Sequence, residues 1–227
     1  DIISFLTSED PSSQSTVMQQ YIYVTLSGED AIICFSLERE TGRLTLKHTI
    51  QVPGGPAPLA LDPAGRFLYA GLRSSYQIAS FRRYPTTGKL AQLGTVPLET
   101  DPCFLSTDRT GRFLFSSYYR AGVVAVHSIG PDGIVTSPPI EWMYTAENAH
   151  SIQTDPSNQF AFVPHTGPNF IAQFAFDETT GHLTPNSPPT VRPERNEEPR
   201  HFCFHPDKDI VYVDNERGNS VTAYNFD

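Results

Sequence analysis

The sequence has few basic residues and no long apolar run, and each shortage excludes a class of partner. Lysine and arginine total 16 against 25 acidic residues, which gives a net charge of −9, and the basic residues form no block. We therefore predict no nucleic-acid partner, because neutralising phosphates requires a basic stripe. No apolar run approaches the roughly 20 residues of a membrane span, so we also predict no membrane partner. A small anionic molecule remains compatible, since local arginines can bind it.

Cysteine is also scarce, and the patterns of the common catalytic and metal sites are missing. Cys34, Cys103 and Cys203 are far apart, without C-x-x-C spacing, and each lies in or beside an apolar run. We predict buried, reduced thiols, which favour a reducing compartment and hence a cytoplasmic protein. The histidines do not fall at zinc-ligand spacings, and no H-E-x-x-H, P-loop, G-x-S-x-G or dinucleotide-binding glycine pattern occurs. We therefore predict neither a metal nor a cofactor.

What the sequence does contain is a repeat. A turn followed by an aromatic strand recurs every 46 to 51 residues, and a second turn, usually Thr-Gly, keeps the same phase. A period near 45 residues with short strands is typical of a β-propeller, with one blade per repeat. The sequence thus predicts an all-β fold, a β-propeller of four-stranded antiparallel blades around one channel. The turn residues of the first mark are Gly65, Gly111, Asn158 and Asp209, and those of the second are Gly42, Gly88, Gly133 and Gly181.

The repeat divides the chain into two parts. Residues 1–17 lie outside it, are polar over most of their length and lack the basic start of a signal peptide, so we predict a flexible leader. Residues 18–227 are predicted to hold about four and a half blades, of which blade one lacks its innermost strand. Such an open arc would expose sheet faces and edges. We therefore expect a piece of a longer propeller, weakly active or inactive alone; the alternative is a five-bladed ring closed by the N-terminal region.

Polar residues converge at one mouth of the predicted channel. The first strand of a blade starts, and the second ends, at the same face, because the two strands are antiparallel. A histidine, an arginine and a carboxylate there suit acid–base chemistry on an anionic substrate. The candidate catalytic residues are His150, Arg200 and Glu216, and the candidate substrate-binding residues are Tyr118, His165, His201 and Asn215.

Each candidate also has a purely structural interpretation. His150 could be a hydrogen-bonded structural histidine, Arg200 could pair with a neighbouring glutamate, and Glu216 could be a solvated loop carboxylate. Tyr118 could be a packing aromatic. His201 is expected to point away from the side on which Arg200 lies, because successive residues of a strand face opposite sides.

Three segments of the chain resemble the propeller lactonase family. They are Asn148-Ala149-His150-Ser151, Pro199-Arg200-His201-Phe202-Cys203-Phe204-His205-Pro206 and Val213-Asp214-Asn215-Glu216. The family contains the bacterial propeller-type 6-phosphogluconolactonases and the fungal carboxy-cis,cis-muconate lactonising enzyme. The resemblance runs from about Met18 to Asp227 and implies a seven-bladed propeller. It matches His150, Arg200 and Glu216 to the family's proposed active-site residues, whereas a further family arginine would fall beyond residue 227.

The resemblance implies a carboxylic ester hydrolase that acts on a small anionic lactone, 6-phosphogluconolactone in the pentose phosphate pathway first among them. On this hypothesis His150, with a pKa near the ordinary ~6.5, is the general base. Arg200 binds the phosphate or the oxyanion, and Glu216 orients His150 or protonates the leaving oxygen. The alternatives are a carboxy-muconate cycloisomerase, in which Arg200 binds a carboxylate, and a non-catalytic scaffold.

Two departures from the family pattern affect the predicted substrate. Glu198 stands where the family usually has glycine before Pro-Arg, and residues 165–169 replace a segment that is rich in aspartate in the family. The sequence leaves the oligomeric state open.

Overall fold

The structure is a computed structural model that describes residues 2–3 and 19–226. In this part of the chain, 19 strands form five antiparallel sheets. Sheet one contains β1 (Ile2–Ile3), β2 (Gln20–Leu26), β3 (Ala31–Leu37) and β4 (Leu44–Gln51), and sheet two contains β5 (Pro56–Leu61), β6 (Phe67–Leu72), β7 (Gln77–Arg83) and β8 (Leu90–Pro97). Sheet three contains β9 (Phe104–Thr107), β10 (Phe113–Tyr118), β11 (Val123–Ser128) and β12 (Glu141–Tyr144), and sheet four contains β13 (Gln153–Thr154), β14 (Phe160–His165), β15 (Phe170–Phe176) and β16 (Leu183–Val191). Sheet five contains β17 (Pro199–Phe204), β18 (Ile210–Asn215) and β19 (Ser220–Asn225).

The sheets are the blades of a propeller, and the predicted fold class is confirmed. Each sheet pairs its strands in chain order, and the first strand of each blade lies at one edge. The first strands of blades two and three, β5 and β9, also contact each other. In the same region of the propeller, β17 of blade five contacts β14 of blade four. The starts of these innermost strands therefore meet at one mouth. The only helix of the described residues is a short 3-10 turn, Ser27–Glu29, and no helix there is long and apolar enough to span a membrane.

The turn residues that mark the repeat have a common backbone geometry. All the glycines of both marks, and Asn158, adopt a left-handed conformation with φ between 64° and 84°. Glycine adopts this conformation without strain, and asparagine tolerates it better than most residues. The repeat visible in the sequence is therefore the repeat of two tight turns in each blade.

The core lies between successive blades rather than within one blade. Alternate residues of a strand face opposite sides of the sheet, so β6 directs Leu68 and Ala70 towards blade one, and Phe67 and Tyr69 towards blade three. Further clusters join blade three to blade four and blade four to blade five. Each blade is thus held by its neighbours, and this packing fixes the innermost strands relative to one another.

Two sequence-based predictions need correction. Ile2–Ile3 pairs with Tyr23 and Val24 of β2, so blade one has an innermost strand, supplied from the predicted leader. The rest of the leader prediction, residues 1 and 4–17, lies outside the described residues. All three cysteines are free thiols, but only Cys34 is fully buried, and Cys203 is exposed. Its neighbours Phe202 and Phe204 take the side of β17 that packs on blade four.

Candidate active site

The structure brings together the three candidate catalytic residues. His150 lies just before β13, Arg200 lies in β17, and Glu216 follows β18. Arg200 Nε donates a hydrogen bond of 2.9 Å to His150 Nε2 and lies 3.2 Å from Glu216 Oε2. The arginine and glutamate side chains are 42% and 52% exposed, so an incoming anion can reach them. Arg200 is therefore the central group of the cluster.

Backbone contacts hold His150 in place. Its N–H donates to the carbonyl of Pro164 (3.0 Å), and its own carbonyl accepts a hydrogen bond of 2.8 Å from Ser117 Oγ. Next to it, Ser151 Oγ donates to the carbonyl of Arg200 (2.9 Å). These bonds connect the first two strands of blade four with β10 of blade three and β17 of blade five, so hydrogen bonds from three blades hold the backbone that carries the imidazole.

The imidazole of His150 is neutral under ordinary conditions. Burial, together with the positive charge of Arg200 and the neighbouring His201, lowers its pKa from 6.5 to about 3. Because Arg200 Nε donates to Nε2, the proton of the neutral ring is on Nδ1, which is buried and has no hydrogen-bond partner among the described residues. The role of His150 in the reaction stays a prediction, but the ordinary pKa on which that prediction rested is wrong.

His201 also lies in the cluster, contrary to the expectation from strand alternation. Its ring is perpendicular to that of His150, with centroids 4.6 Å apart. The pairing of β17 with β18 shifts in register between Pro199 and Phe202. Such an irregularity breaks the alternation of side chains, and the side chains of Arg200 and His201 can therefore both contact His150.

Asp214 and Tyr119 complete the cluster, although neither was a predicted site residue. Asp214 Oδ1 accepts from the backbone N–H of His201, and Oδ2 lies 3.2 Å from His201 Nδ1. Tyr119 places its ring edge against His150, with centroids 5.6 Å apart. Asp214 could have been found from the sequence, because it stands two positions before Glu216 and residues two apart on a strand share a face.

The side chains of the other three predicted substrate-binding residues contact groups outside the cluster. Tyr118 is fully buried, with its hydroxyl 2.9 Å from Ser116 Oγ and its ring against Trp142, so Tyr119 takes its expected place.

His165 and Asn215 are held by contacts of their own. His165 Nδ1 lies 3.0 Å from the carbonyl of Glu147, and burial lowers its pKa. Asn215 donates from Nδ2 to hydroxyl groups of β19. Within residues 2–3 and 19–226, no group of three or more His, Cys, Asp or Glu side chains could hold a metal ion.

Comparison with known proteins gives the family. A family model described as lactonase, 7-bladed β-propeller, matches residues 24–227. The chain belongs to this lactonase family. A 6-phosphogluconolactonase of Pectobacterium carotovorum is 36% identical over 210 residues, which are 92% of this chain and 62% of the relative. A 6-phosphogluconolactonase of Yersinia enterocolitica is 34% identical over 207 residues, 91% of this chain and 61% of the relative.

A solved structure supports the same fold. The periplasmic gluconolactonase of Pseudomonas aeruginosa superposes with a TM-score of 0.81 at 21% identity, over 91% of this chain and 64% of the other. At this identity the likeness concerns the fold alone. The chain spans about three fifths of the length of the curated relatives that it matches.

Glu198 stands where the resemblance to the family places glycine, and its backbone adopts a conformation that favours glycine. Its φ is 58°, in the left-handed region, and its backbone connects the site to blade four by accepting from Glu216 N and donating to Asn169 Oδ1, both at 2.9 Å. The side chain pairs with Arg217 at 3.4 Å. The glutamate therefore keeps the loop conformation of a glycine, at the cost of backbone strain.

We expect Glu198→Gly to be more stable than Glu198→Ala by about 0.5–1 kcal/mol. Both variants remove the carboxylate, but only alanine keeps a Cβ in the left-handed conformation. Urea unfolding of the two variants measures the difference. At an ordinary strand position the order is reversed, so a more stable alanine variant would argue against the strained backbone.

The lowered pKa of His150 also predicts a pH dependence of stability. Below about pH 6.5 the unfolded chain binds a proton at this histidine that the folded protein does not, until the pH falls to about 3. The free energy of unfolding should therefore decrease as the pH falls through this window, by up to about 1.4 kcal/mol per pH unit for this one group. Urea unfolding at several pH values should show a shallower decrease in His150→Gln, and equal slopes would contradict the shift.

Proposed function

We propose that this chain carries the active site of a lactonase that hydrolyses a phosphorylated sugar lactone, with 6-phosphogluconolactone as substrate. The observation that carries the proposal is the position of Arg200, which contacts both a neutral histidine and a carboxylate at an open mouth. Water attacks the lactone carbonyl, and the ring ester bond breaks to give the hydroxy acid. The residues around Arg200 supply the three functions that this reaction needs: anion binding, orientation and proton transfer.

Arg200 is suited to bind an anionic group of the substrate. Its Nε contacts His150 and Glu216, and a guanidinium has five N–H donors in all, in a fork that fits phosphate or carboxylate. It holds the phosphate, or it stabilises the oxyanion that forms on the carbonyl oxygen. His150 accepts from Arg200 and so orients the guanidinium towards the mouth.

Glu216 is suited to donate a proton to the leaving oxygen of the lactone. Its side chain is half exposed and pairs with Arg200, and among the described residues it makes no hydrogen bond with His150. We therefore favour protonation of the leaving ring oxygen over orientation of His150, the second role that the sequence suggested.

The relatives support the choice of reaction and substrate. Both bacterial relatives at 34–36% identity are named 6-phosphogluconolactonase. Their shared name favours a hydrolase of an ester bond over lactone formation from a muconate. A cytoplasmic location stays a prediction, since the structurally similar gluconolactonase of Pseudomonas aeruginosa is periplasmic.

The test is lactone hydrolysis by the complete gene product that contains this chain. Initial rates are measured with 6-phosphogluconolactone, with unphosphorylated gluconolactone and with carboxymuconate, at a pH where spontaneous lactone opening is slow. We expect fast turnover of the phosphorylated lactone and kcat/KM at least 10-fold lower for gluconolactone, since only the former offers Arg200 a phosphate. Activity confined to the muconate would assign the cycloisomerase instead, and no activity on any of the three would favour the scaffold.

A further inference from the structure

His201 and Asp214 form a second polar pair at the mouth that the proposed function has not used. The carboxylate of Asp214 makes two hydrogen bonds with the same residue, one with the backbone N–H of His201 and one with its ring Nδ1. Two contacts from one carboxylate fix both the position and the rotation of the ring. Because a carboxylate only accepts hydrogen bonds, the proton of the neutral imidazole is on Nδ1 and the lone pair is on Nε2.

His201 is also accessible where His150 is not. The side chain of His201 is 34% exposed, and that of Asp214 is 50% exposed. The ring is held on two sides, by His150 at 4.6 Å and by Phe104 of blade three at 5.9 Å between centroids. An imidazole that is oriented by a carboxylate, packed against two other rings and partly open to solvent has the arrangement of a general base.

The competing base, His150, lacks an available lone pair. Its Nε2 accepts from Arg200 Nε, and its Nδ1 is buried and protonated in the neutral ring. Its pKa of about 3 also makes it a weak base. Of the two histidines at the mouth, His201 is therefore the one that presents a free nitrogen lone pair.

We propose that His201 is the general base that activates the attacking water, with Asp214 as its positioning residue. The inference rests on the proposed lactonase function. Nε2 takes a proton from water while the water oxygen bonds to the lactone carbonyl carbon, and the carbonyl electron pair moves to the oxygen. When the intermediate collapses, the bond from carbon to ring oxygen breaks. The leaving oxygen then takes a proton, either that of the His201 imidazolium directly or one from Glu216, which His201 then replenishes.

Several charged groups surround His201 and will shape its pH dependence. Asp214 contacts His201 directly, and His150 packs against its ring. Arg200, which contacts His150, is paired with Glu216. Asp214 and Glu216 bring negative charge to this set, and Arg200 brings positive charge. The pH–rate profile of the variants therefore reports on this whole set of groups, and the comparison must be made between variants that keep the others.

The first test is His201→Gln in the complete gene product, assayed with 6-phosphogluconolactone. We expect kcat to fall by about 10²–10³-fold with KM changed less than about 3-fold, and the acid limb of the pH–rate profile to disappear. Asp214→Asn should lower kcat about 10-fold and displace that limb, since the amide no longer holds the charged ring. The matched control is His182→Gln, because the ring Nδ1 of His182, in the turn before β16, pairs with the Glu141 carboxylate of outer strand β12 and its loss should leave kcat unchanged.

A rescue experiment separates a base from a structural histidine. In His201→Ala, added imidazole should restore at least 10-fold of the lost rate, because the base then comes from solution. The melting temperatures of all variants check that the fold is kept. If His201→Gln keeps kcat within 3-fold and the acid limb unchanged while Arg200→Ala is inactive, the base assignment is overturned and the lactonase function stands. If the wild-type gene product hydrolyses no lactone, both the base assignment and the proposed lactonase function are overturned.

Discussion

Replacing Arg200 with alanine is expected to lower kcat/KM for 6-phosphogluconolactone by about 10²–10³-fold, the largest effect on activity of any single change outside the base. Its guanidinium is the only group that contacts both His150 and Glu216 in the cluster as described. Alanine removes the anion-binding fork and leaves His150 Nε2 without its donor. For unphosphorylated gluconolactone the loss should be smaller if Arg200 binds phosphate, and equal if it stabilises the oxyanion. Steady-state kinetics on both substrates therefore assigns the role.

Two further arginine variants control this result. Arg200→Lys keeps the charge but not the bidentate fork, so we expect an intermediate loss. Arg217→Ala removes an arginine of the same region, paired with Glu198 and 65% exposed, and should change kcat/KM less than 2-fold. Equal kinetics for Arg200→Ala and Arg217→Ala would remove Arg200 from the site.

The largest effect on stability is expected at the turn of blade three. Asp108 is fully buried. Its Oδ1 accepts from the N–H groups of Arg112 and Phe113, and its Oδ2 accepts from Thr110 and from Asn158 Nδ2 of blade four. Asp108→Ala leaves these donors without an acceptor, and each unsatisfied buried group costs about 1–3 kcal/mol. We expect a loss of about 3–5 kcal/mol in the free energy of unfolding, measured by urea denaturation.

Asp177 provides the matched control for this loss. Its carboxylate also accepts from the backbone and hydroxyl of a turn, at Thr179 and Thr180, but it lies exposed on the surface. Water replaces the lost acceptor there, so Asp177→Ala should cost less than about 1 kcal/mol. If the two variants lose equal stability, burial of the turn is not what makes Asp108 important.

The same turn explains how much of the fold the sequence predicts. Asp62, Asp108 and Asp155 all accept backbone N–H groups of the following residues, and in blade five His205 Nδ1 accepts from Asp207 N. In blades two to four the turn combines an acceptor side chain with a residue at positive φ (Gly65, Gly111 or Asn158), so the chemistry repeats with the blade. A local requirement of this kind is visible in the sequence. It is the basis for predicting the blades, where each blade begins, and which residues lie at one mouth of the channel.

The details of the site are less predictable, because they depend on irregular backbone. The register shift in β17 brings His201 beside His150, and strand alternation alone predicts the opposite. Likewise, the choice between Tyr118 and Tyr119 depends on which ring faces the neighbouring blade. The lowered pKa of His150 follows first from burial, which residue spacing does not encode, and then from Arg200, which the repeat did place at the same mouth. The sequence therefore predicts which segments lie together at the mouth, and the structure shows which of their side chains are in contact.

On the proposed function, the mouth formed by blades four and five binds and hydrolyses a phosphorylated sugar lactone. The most direct measurement is a crystal structure of the complete gene product with the product 6-phosphogluconate bound. We predict an anionic group of the ligand, phosphate or carboxylate, on the guanidinium of Arg200, with its carboxyl carbon near His201 and Glu216. A ligand bound elsewhere, or a mouth that stays empty at saturating ligand with Arg200 still on His150, would contradict the account.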